Sequence, residues 1–267
     1  MSAVTVDRPV APVRTTEHAP IPMGRIVGVE LRKMFDTRSG FWLLASIAIL
    51  ALLASSAVIL FAPDDELTYE TFATAIGFPM AVVLPMIAIL SVTSEWSQRT
   101  GLTTFTLVPS RATVIAAKWL CAVGVGVVSM LLAGAVGALG NVVGTAIAGV
   151  DTSWNVSWSD YAMIILANVL GMMVGFMLGV LIRSSAGAIV AYFVFSLLLP
   201  TVSSALASTQ DWYRDTMPWF DFNYAQSALF NGVPNGEQWA HLGTASGIWL
   251  VAPLVVGLWS LMRSEVK

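Results

Sequence analysis

Hydrophobic residues in this chain of 267 residues occur in long runs that are separated by short polar segments. A helix that crosses a hydrocarbon core about 30 Å thick needs roughly 20 mostly apolar residues. Six runs meet this length, at residues 41–61, 72–94, 114–139, 161–182, 186–207 and 242–262. None of them has a charged residue in its middle. The pattern therefore predicts an all-α integral membrane protein with six transmembrane helices.

The third run stays apolar beyond residue 139, as far as Val150. Because this is more than one crossing needs, we expect Gly140 and Asn141 to end the third span. Composition supports the membrane assignment: 57% of residues are hydrophobic, 11% are charged and the mean hydropathy is +0.78. A soluble domain carries about a quarter charged residues.

The chain before the first run divides into two parts. Residues 1–22 contain four prolines among small and polar residues, a composition that predicts a disordered tail. Residues 23–38 have the period of an amphipathic helix, which predicts a helix lying at the membrane interface. Its apolar face carries Val27, Leu31, Met34 and Phe35, and its polar face carries Arg25, Arg32 and Asp36. The alternative is a juxtamembrane segment that only fixes topology. Residues 23–267 then form one six-span domain.

Basic residues give the orientation. If the N-terminus is cytoplasmic, twelve of the 13 Lys and Arg residues fall on the inner side and only Arg214 falls outside. We therefore expect a multi-pass plasma-membrane protein with both termini in the cytoplasm. Residues 208–241, on the outer side, are rich in aromatic residues, and residues 222–232 favour a short re-entrant or interfacial helix. A plain aromatic belt is the alternative.

The sequence lacks the patterns of several kinds of active site. The phosphate-binding motif G-x-x-x-x-G-K-[ST] is absent, so the chain has no P-loop for ATP hydrolysis. Two histidines, His18 and His241, and the single Cys121 provide neither a metal-binding motif nor a disulfide. We expect no catalytic residue, no metal and no cofactor in this chain.

The fourth run contains GMMVGFMLG at residues 171–179, which places Gly171, Gly175 and Gly179 on one helical stripe. Small residues at this spacing allow close helix packing, against either another span or another subunit. Asn168 lies one turn earlier and is either an interhelical hydrogen-bonding group or a substrate ligand. The candidate substrate path consists of Asn168, Met172, Phe176 and Tyr192.

A polar segment, SEWSQRTGLTTFTLVPSRATVIAAK at residues 94–118, separates the second and third runs; we call it the seam. Residues 95–106 favour a short helix, and Pro109 disfavours helix at the residue before it. Arg111 and Lys118 then mark the return to the membrane. A plain loop that is basic because of its cytoplasmic position is the alternative.

Together these features resemble the membrane subunits of type-2 ATP-binding-cassette exporters, over residues 23–267. The resemblance depends on the six spans, the amphipathic helix, the long outer loop before the last span and the seam. Family members have a glutamate, a threonine-containing stretch, a proline, an arginine and a lysine in the seam. The matching residues are Glu95, Thr100 with Gly101, Pro109, Arg111 and Lys118. Arg99 precedes Thr100-Gly101 here, where other members often have Gly-Thr.

The resemblance implies that the seam is a coupling helix that docks on a separate cytosolic ATPase. Its expected coupling residues are Glu95, Arg99, Thr100, Thr103 and Arg111. It also implies two ATPase subunits, which bind the ATP and Mg²⁺, and a second permease chain in a homo- or heterodimer. The expected cargo is an amphipathic drug, antibiotic or lipid exported from a bacterial cell, and no nucleic acid is involved. The alternatives are an ion-coupled secondary transporter and a structural or sensory membrane subunit without transport.

Overall fold

The fold is a bundle of long helices, known from a computed structural model that describes residues 21–36, 38–97 and 111–263. The helices are α1 (Met23–Asp36), α2 (Arg38–Phe61), α3 (Tyr69–Ser97), α4 (Arg111–Ala148), α5 (Trp158–Ile182), α6 (Ser185–Thr209), α7 (Asp211–Phe220), α8 (Phe222–Ser227) and α9 (Gly236–Arg263). Six of them, α2 to α6 and α9, are long and apolar enough to cross a membrane. The prediction of an all-α protein with six transmembrane helices is confirmed.

The centre of the bundle is formed by α3 and α5, with α4 packed against both. The side chains of Met80, Leu84, Met172 and Phe176 are almost completely buried there. In contrast, α2, α6 and α9 bury only a minority of their residues, so most of their apolar surface faces outward. Helices that are hydrophobic all round are expected in a membrane, where lipid covers the outward side.

Two residues of the α5 glycine stripe explain the close approach of α3 and α5. A Cβ atom added at Gly175 would lie 2.7 Å from the carbonyl oxygen of Pro85, and one at Gly179 would lie 3.3 Å from that of Ile89. Only glycine leaves room for the α3 backbone at these positions. Gly171 faces the side chains of Gln226 and Tyr192 instead. At Gly175 and Gly179 the packing partner is thus another span of the same chain.

The predicted end of the third span at Gly140 and Asn141 is wrong. Helix α4 continues to Ala148 and has 38 residues, about 57 Å at 1.5 Å per residue. Gly140 is needed for packing, since a Cβ atom there would lie 2.9 Å from the ring of Phe72. Asn141 is fully buried inside the helix, and its Nδ2 donates a hydrogen bond of 2.8 Å to the carbonyl oxygen of Ser153.

Proline accounts for the irregular turns of α6 and α9. A π-helical segment at Val194–Leu198 comes just before Pro200, and another at Gly247–Val251 comes just before Pro253. Proline lacks an N–H group and clashes with the carbonyl of the preceding turn, and a wider turn relieves both problems. One carbonyl of the first π segment, that of Phe195, accepts a hydrogen bond of 3.1 Å from Asn223 of α8.

The helices α1 and α8 lie at opposite ends of the bundle, which we call the α1 end and the α8 end. The segment 222–232 is helical, as α8 followed by a 3₁₀ turn at Ala228–Asn231. Its Gln226 Nε2 donates to the carbonyl oxygen of Ala167 at 2.6 Å, which ties α8 to α5. The positions of α1 and α8 relative to a bilayer stay predictions. Residues 1–20 of the predicted tail and seam residues 98–110 lie outside the described residues.

Candidate functional site

The seam begins within a transmembrane helix. Helix α3 extends to Ser97, so Glu95 belongs to its last turns rather than to a separate helix. Arg111 is the first residue of α4. The predicted coupling residues Arg99, Thr100 and Thr103 lie outside the described residues. The coupling role of these five residues stays a prediction, and the geometry of the site comes from the residues on either side of the gap.

Four charged side chains meet at the α1 end, and we call them the ion-pair cluster: Glu30 and Lys33 of α1, Glu95 of α3 and Lys118 of α4. The Lys118 Nζ lies 2.5 Å from Glu30 Oε2 and 3.3 Å from Glu95 Oε1. The Lys33 Nζ lies 2.7 Å from Glu30 Oε1 and 3.6 Å from Glu95 Oε1. Glu30, Glu95 and Lys118 are each only 4% exposed. Two positive and two negative charges balance, so the cluster is neutral as a whole.

Glu30 is the residue that sequence reasoning missed. It lies one turn after Ile26 on the buried face of α1, while Leu31 and Phe35 of the predicted apolar face are exposed. Burial by itself raises the pKa of the Glu30 carboxyl, but the Lys118 charge and the hydrogen bonds from Lys118 and Lys33 outweigh it, and the pKa is lowered. Glu30 is therefore ionised at neutral pH and attracts both lysines.

Glu95 is held less firmly than Glu30. Its two carboxylate oxygens are buried and accept no hydrogen bond from the described residues, although both lysines lie close enough for ion pairing. Lys118 instead directs hydrogen bonds to Glu30 Oε2 and, at 3.0 Å, to the carbonyl oxygen of Ser91 in α3. Lys118 thus joins α1, α3 and α4, and Glu95 contributes charge without directed hydrogen bonds.

Two further contacts extend this junction. The Sγ of Cys121, one turn beyond Lys118 on α4, lies 3.4 Å from the carbonyl oxygen of Val27 on α1. The hydroxyl groups of Thr93 and Ser185 are 2.8 Å apart and connect α3 to the start of α6. The junction therefore involves four helices, and Cys121 is buried at the contact between α1 and α4.

The candidate substrate-path residues lie inside the packed core. Asn168, Met172, Phe176 and Tyr192 are each at most 6% exposed. The Tyr192 hydroxyl donates to the carbonyl oxygen of Ala81 at 2.7 Å, and Asn168 Nδ2 donates to that of Ile164 in its own helix. The Asn168 Oδ1 is buried without a hydrogen bond from the described residues. Their role in a substrate path stays a prediction.

Two cavities lie elsewhere. A shallow groove of about 420 Å³ runs along α6, and its lining residues are Val190, Phe193, Val194, Leu197, Leu198 and Thr201. A second cavity of about 370 Å³ lies between α7, α8 and α9 and includes His241 and Glu237. Within the described ranges, no group of three or more His, Cys, Asp or Glu residues could hold a metal ion.

Comparison with known proteins agrees with this architecture. Residues 15–266 match the family model described as ABC-2 family transporter protein. A search of the curated proteins finds no match. The matched region includes all six membrane-competent helices, α1 and the whole seam. The chain is therefore a multi-pass membrane protein of the ABC-2 transporter family, the class that forms the permease subunits of ABC transporters.

Proposed function

We propose that this permease subunit exports an amphipathic or lipid-like compound and is driven by two separate ATPase subunits that dock on the seam from the cytoplasm. The family match over residues 15–266 is the observation that supports it most directly. ATP and Mg²⁺ would bind to the ATPase subunits, and a second permease chain would complete the pathway. Closure of the ATPases on ATP would push on the seam and tilt the bundle.

The low charge of the spans supports an amphipathic cargo. Among the described residues, the buried charged side chains are those of Glu30, Glu95 and Lys118, all at the α1 end. The buried polar groups deeper in the spans are neutral ones such as Asn168, Ser129 and Ser203. A path without fixed charge suits drugs, antibiotics or lipids better than small ions.

The partner can be tested by checking whether an adjacent reading frame encodes a protein with a Walker A motif and by expressing the chain together with such an ATPase. We expect a stable complex that hydrolyses ATP and moves a fluorescent lipid analogue in proteoliposomes only when ATP is supplied. An ion gradient that drives transport without an ATPase would favour a secondary transporter instead. Failure to bind any ATPase would refute the proposal.

The seam can be tested within that complex by Arg99→Ala and Arg111→Ala. Both residues are expected to contact the ATPase, and loss of one partner of a buried interfacial charge pair costs about 2–5 kcal/mol, which corresponds to roughly 30-fold or more in affinity. Arg263→Ala is the matched control, since Arg263 is an exposed arginine at the same end that lies over the ring of Trp259. Wild-type affinity and transport in both seam variants would exclude the seam as the docking site.

A further inference from the structure

The structure points to a role for α1 that involves its buried face. We propose that the ion-pair cluster is a mechanical link that makes α1 move together with the adjoining ends of α3 and α4. Glu30 is then a positioning residue through which α1 takes part in coupling. The coupling part of this inference rests on the proposed function, whereas the link itself does not.

The first argument is the arrangement of the contacts. Lys118 lies 88 positions after Glu30 and 27 after Ser91 in the chain, yet its ammonium group bonds to both at 3.0 Å or less. The three helix segments meet only through tertiary packing, so any rotation of α1 away from α4 must break the Lys118–Glu30 contact. Because both groups are only 4% exposed, water and salt cannot readily replace that contact.

The second argument is the balance of charge. Loss of one member of a buried ion pair leaves an uncompensated charge, which costs far more than loss of both members. Glu30 accepts from both lysines and sits between them. Separation of α1 from the bundle would leave Lys118 with its hydrogen bond to the Ser91 carbonyl oxygen and with Glu95 as its one carboxylate partner among the described residues, to which it makes no directed hydrogen bond. The closed cluster is thus strongly favoured over a partly opened one.

The third argument is that, within the described part of the chain, the protein holds α1 on one side only. Ile26 and Glu30 are buried, whereas Val29, Leu31 and Phe35 are between 38% and 50% exposed. An apolar contact alone would allow α1 to slide or roll along α4. The directed bonds of Glu30 fix its register and its rotation, which an element that transmits movement requires.

The single cysteine of the chain reports on this link. Cys121 is 4% exposed and contacts α1 through the Val27 carbonyl oxygen, so it becomes accessible to a thiol reagent when α1 leaves α4. With the purified chain in lipid nanodiscs and no ATPase, we expect slow labelling by maleimide in the wild type. Glu30→Gln should label at least about tenfold faster, a shift that corresponds to 1.4 kcal/mol. Cys121→Ser controls for labelling at other sites.

A double variant separates the link from general stability. Glu30→Gln combined with Lys118→Met removes one charge of each sign and leaves Glu95 and Lys33 balanced. We expect it to fold better than either single variant, judged by the monodisperse yield, and yet to label Cys121 as fast as Glu30→Gln. Asp36→Asn is the matched control, because it is the same type of substitution at an exposed position of α1. Wild-type labelling in the double variant would refute the link.

Coupling is tested in the ATPase complex with a fluorophore on α1. Gly28→Cys in a Cys121→Ser background provides the attachment point, since Gly28 is exposed and nothing lies within 4 Å of an added Cβ atom. We expect MgATP with vanadate to change the fluorescence when the cluster is intact. The double variant should hydrolyse ATP but lose most of this change, and an unaltered change would refute the coupling role. If no ATPase binds, the proposed function fails while the Cys121 labelling still decides the link.

Discussion

Individual residues of this chain carry roles that their type alone does not reveal. Gly175 is not a flexible point, because it lies within a regular helix and faces the Pro85 backbone of α3. Proline at residue 85 and glycine at residue 175 are complementary, since the first supplies a fixed backbone surface and the second supplies the space. Gly175 thus determines how closely the two central helices, α3 and α5, pack.

Gly175→Ala should therefore destabilise the bundle. Its Cβ atom would lie 2.7 Å from a backbone oxygen that cannot rotate away, and overpacking of this kind costs about 1–3 kcal/mol. We expect a lower melting temperature in detergent, measured by fluorescence-detected size-exclusion chromatography. Gly124→Ala on α4, where nothing lies within 4 Å of the added carbon, should be neutral or slightly stabilising. Equal effects of the two substitutions would contradict this account.

The ionised carboxylate of Glu30 stabilises the α1 end, and this stabilisation is lost at acid pH. Its pKa is lowered in the folded protein, so the folded state binds its proton less readily than the unfolded state. The stabilisation is complete above the ordinary glutamate pKa of about 4.3 and is lost as the pH falls towards the lowered value. The charged groups that contact Glu30 are Lys33 and Lys118, and Glu95 Oε1 lies 3.6 Å and 3.3 Å from the ammonium groups of these lysines.

We expect the difference in melting temperature between wild type and Glu30→Gln to stay constant from pH 8 to about pH 5. Below about pH 4.3 the difference in melting temperature should shrink, because protonation of Glu30 in the wild type removes the negative charge that the glutamine variant lacks. The measurement is the same chromatographic melting assay across a series of buffers. A difference that shrinks at neutral pH instead would show that Glu30 is not ionised in the folded protein.

At the scale of elements, hydropathy predicted the spans well, because the length of apolar sequence directly reflects a bilayer of fixed thickness. It failed at the far end of α4, since Asn141 and Gly140 look like breakers when only neighbouring residues are considered. The bond partner of Asn141 is Ser153, which is 12 residues further on, and Gly140 packs on Phe72 of another helix. Such contacts become visible only when the helices are placed together.

The same reason explains why α1 was predicted only in part. Its periodicity correctly indicated a helix and an apolar face with Leu31 and Phe35, but that face is exposed to the surroundings of the bundle. The face that contacts protein contains a glutamate, and no local pattern marks it as buried. The one available signal was the lone Lys118 within an apolar run, which required an acidic partner from elsewhere in the chain.

Asn141 gives an element-scale prediction about the α8 end. Asn141→Leu keeps the number of side-chain heavy atoms but removes the hydrogen bond from Asn141 to the Ser153 carbonyl oxygen, which then accepts only the 3.2 Å bond from the Tyr69 backbone N–H. Loss of one hydrogen bond costs about 0.5–1.5 kcal/mol, so residues 149–157 should exchange amide hydrogens roughly 2- to 12-fold faster. Hydrogen exchange with mass spectrometry measures this. Val143→Leu, at an exposed position two residues further along α4, should leave the exchange unchanged.

At the scale of the whole molecule, the sequence predicted the class, the number of spans and the family because these depend on composition and order alone. It did not predict which helices are central. The six apolar runs look alike in hydropathy, whereas α3 and α5 are the ones that bury the largest side chains. The position of a helix in the bundle is set by small residues and by proline at positions where two helices face each other. These matches belong to pairs of helices and cannot be seen in one apolar run.

One consequence concerns α4 as a single rigid body. Lys118 lies near one end of this helix and Asn141 lies about 35 Å away near the other, and no break separates them. Because both parts of this continuous helix are bonded to neighbouring segments, we expect a tilt at the ion-pair cluster to displace residues 149–157, the segment that contains Ser153. The ion-pair cluster and the Asn141–Ser153 contact are therefore connected through one continuous helix.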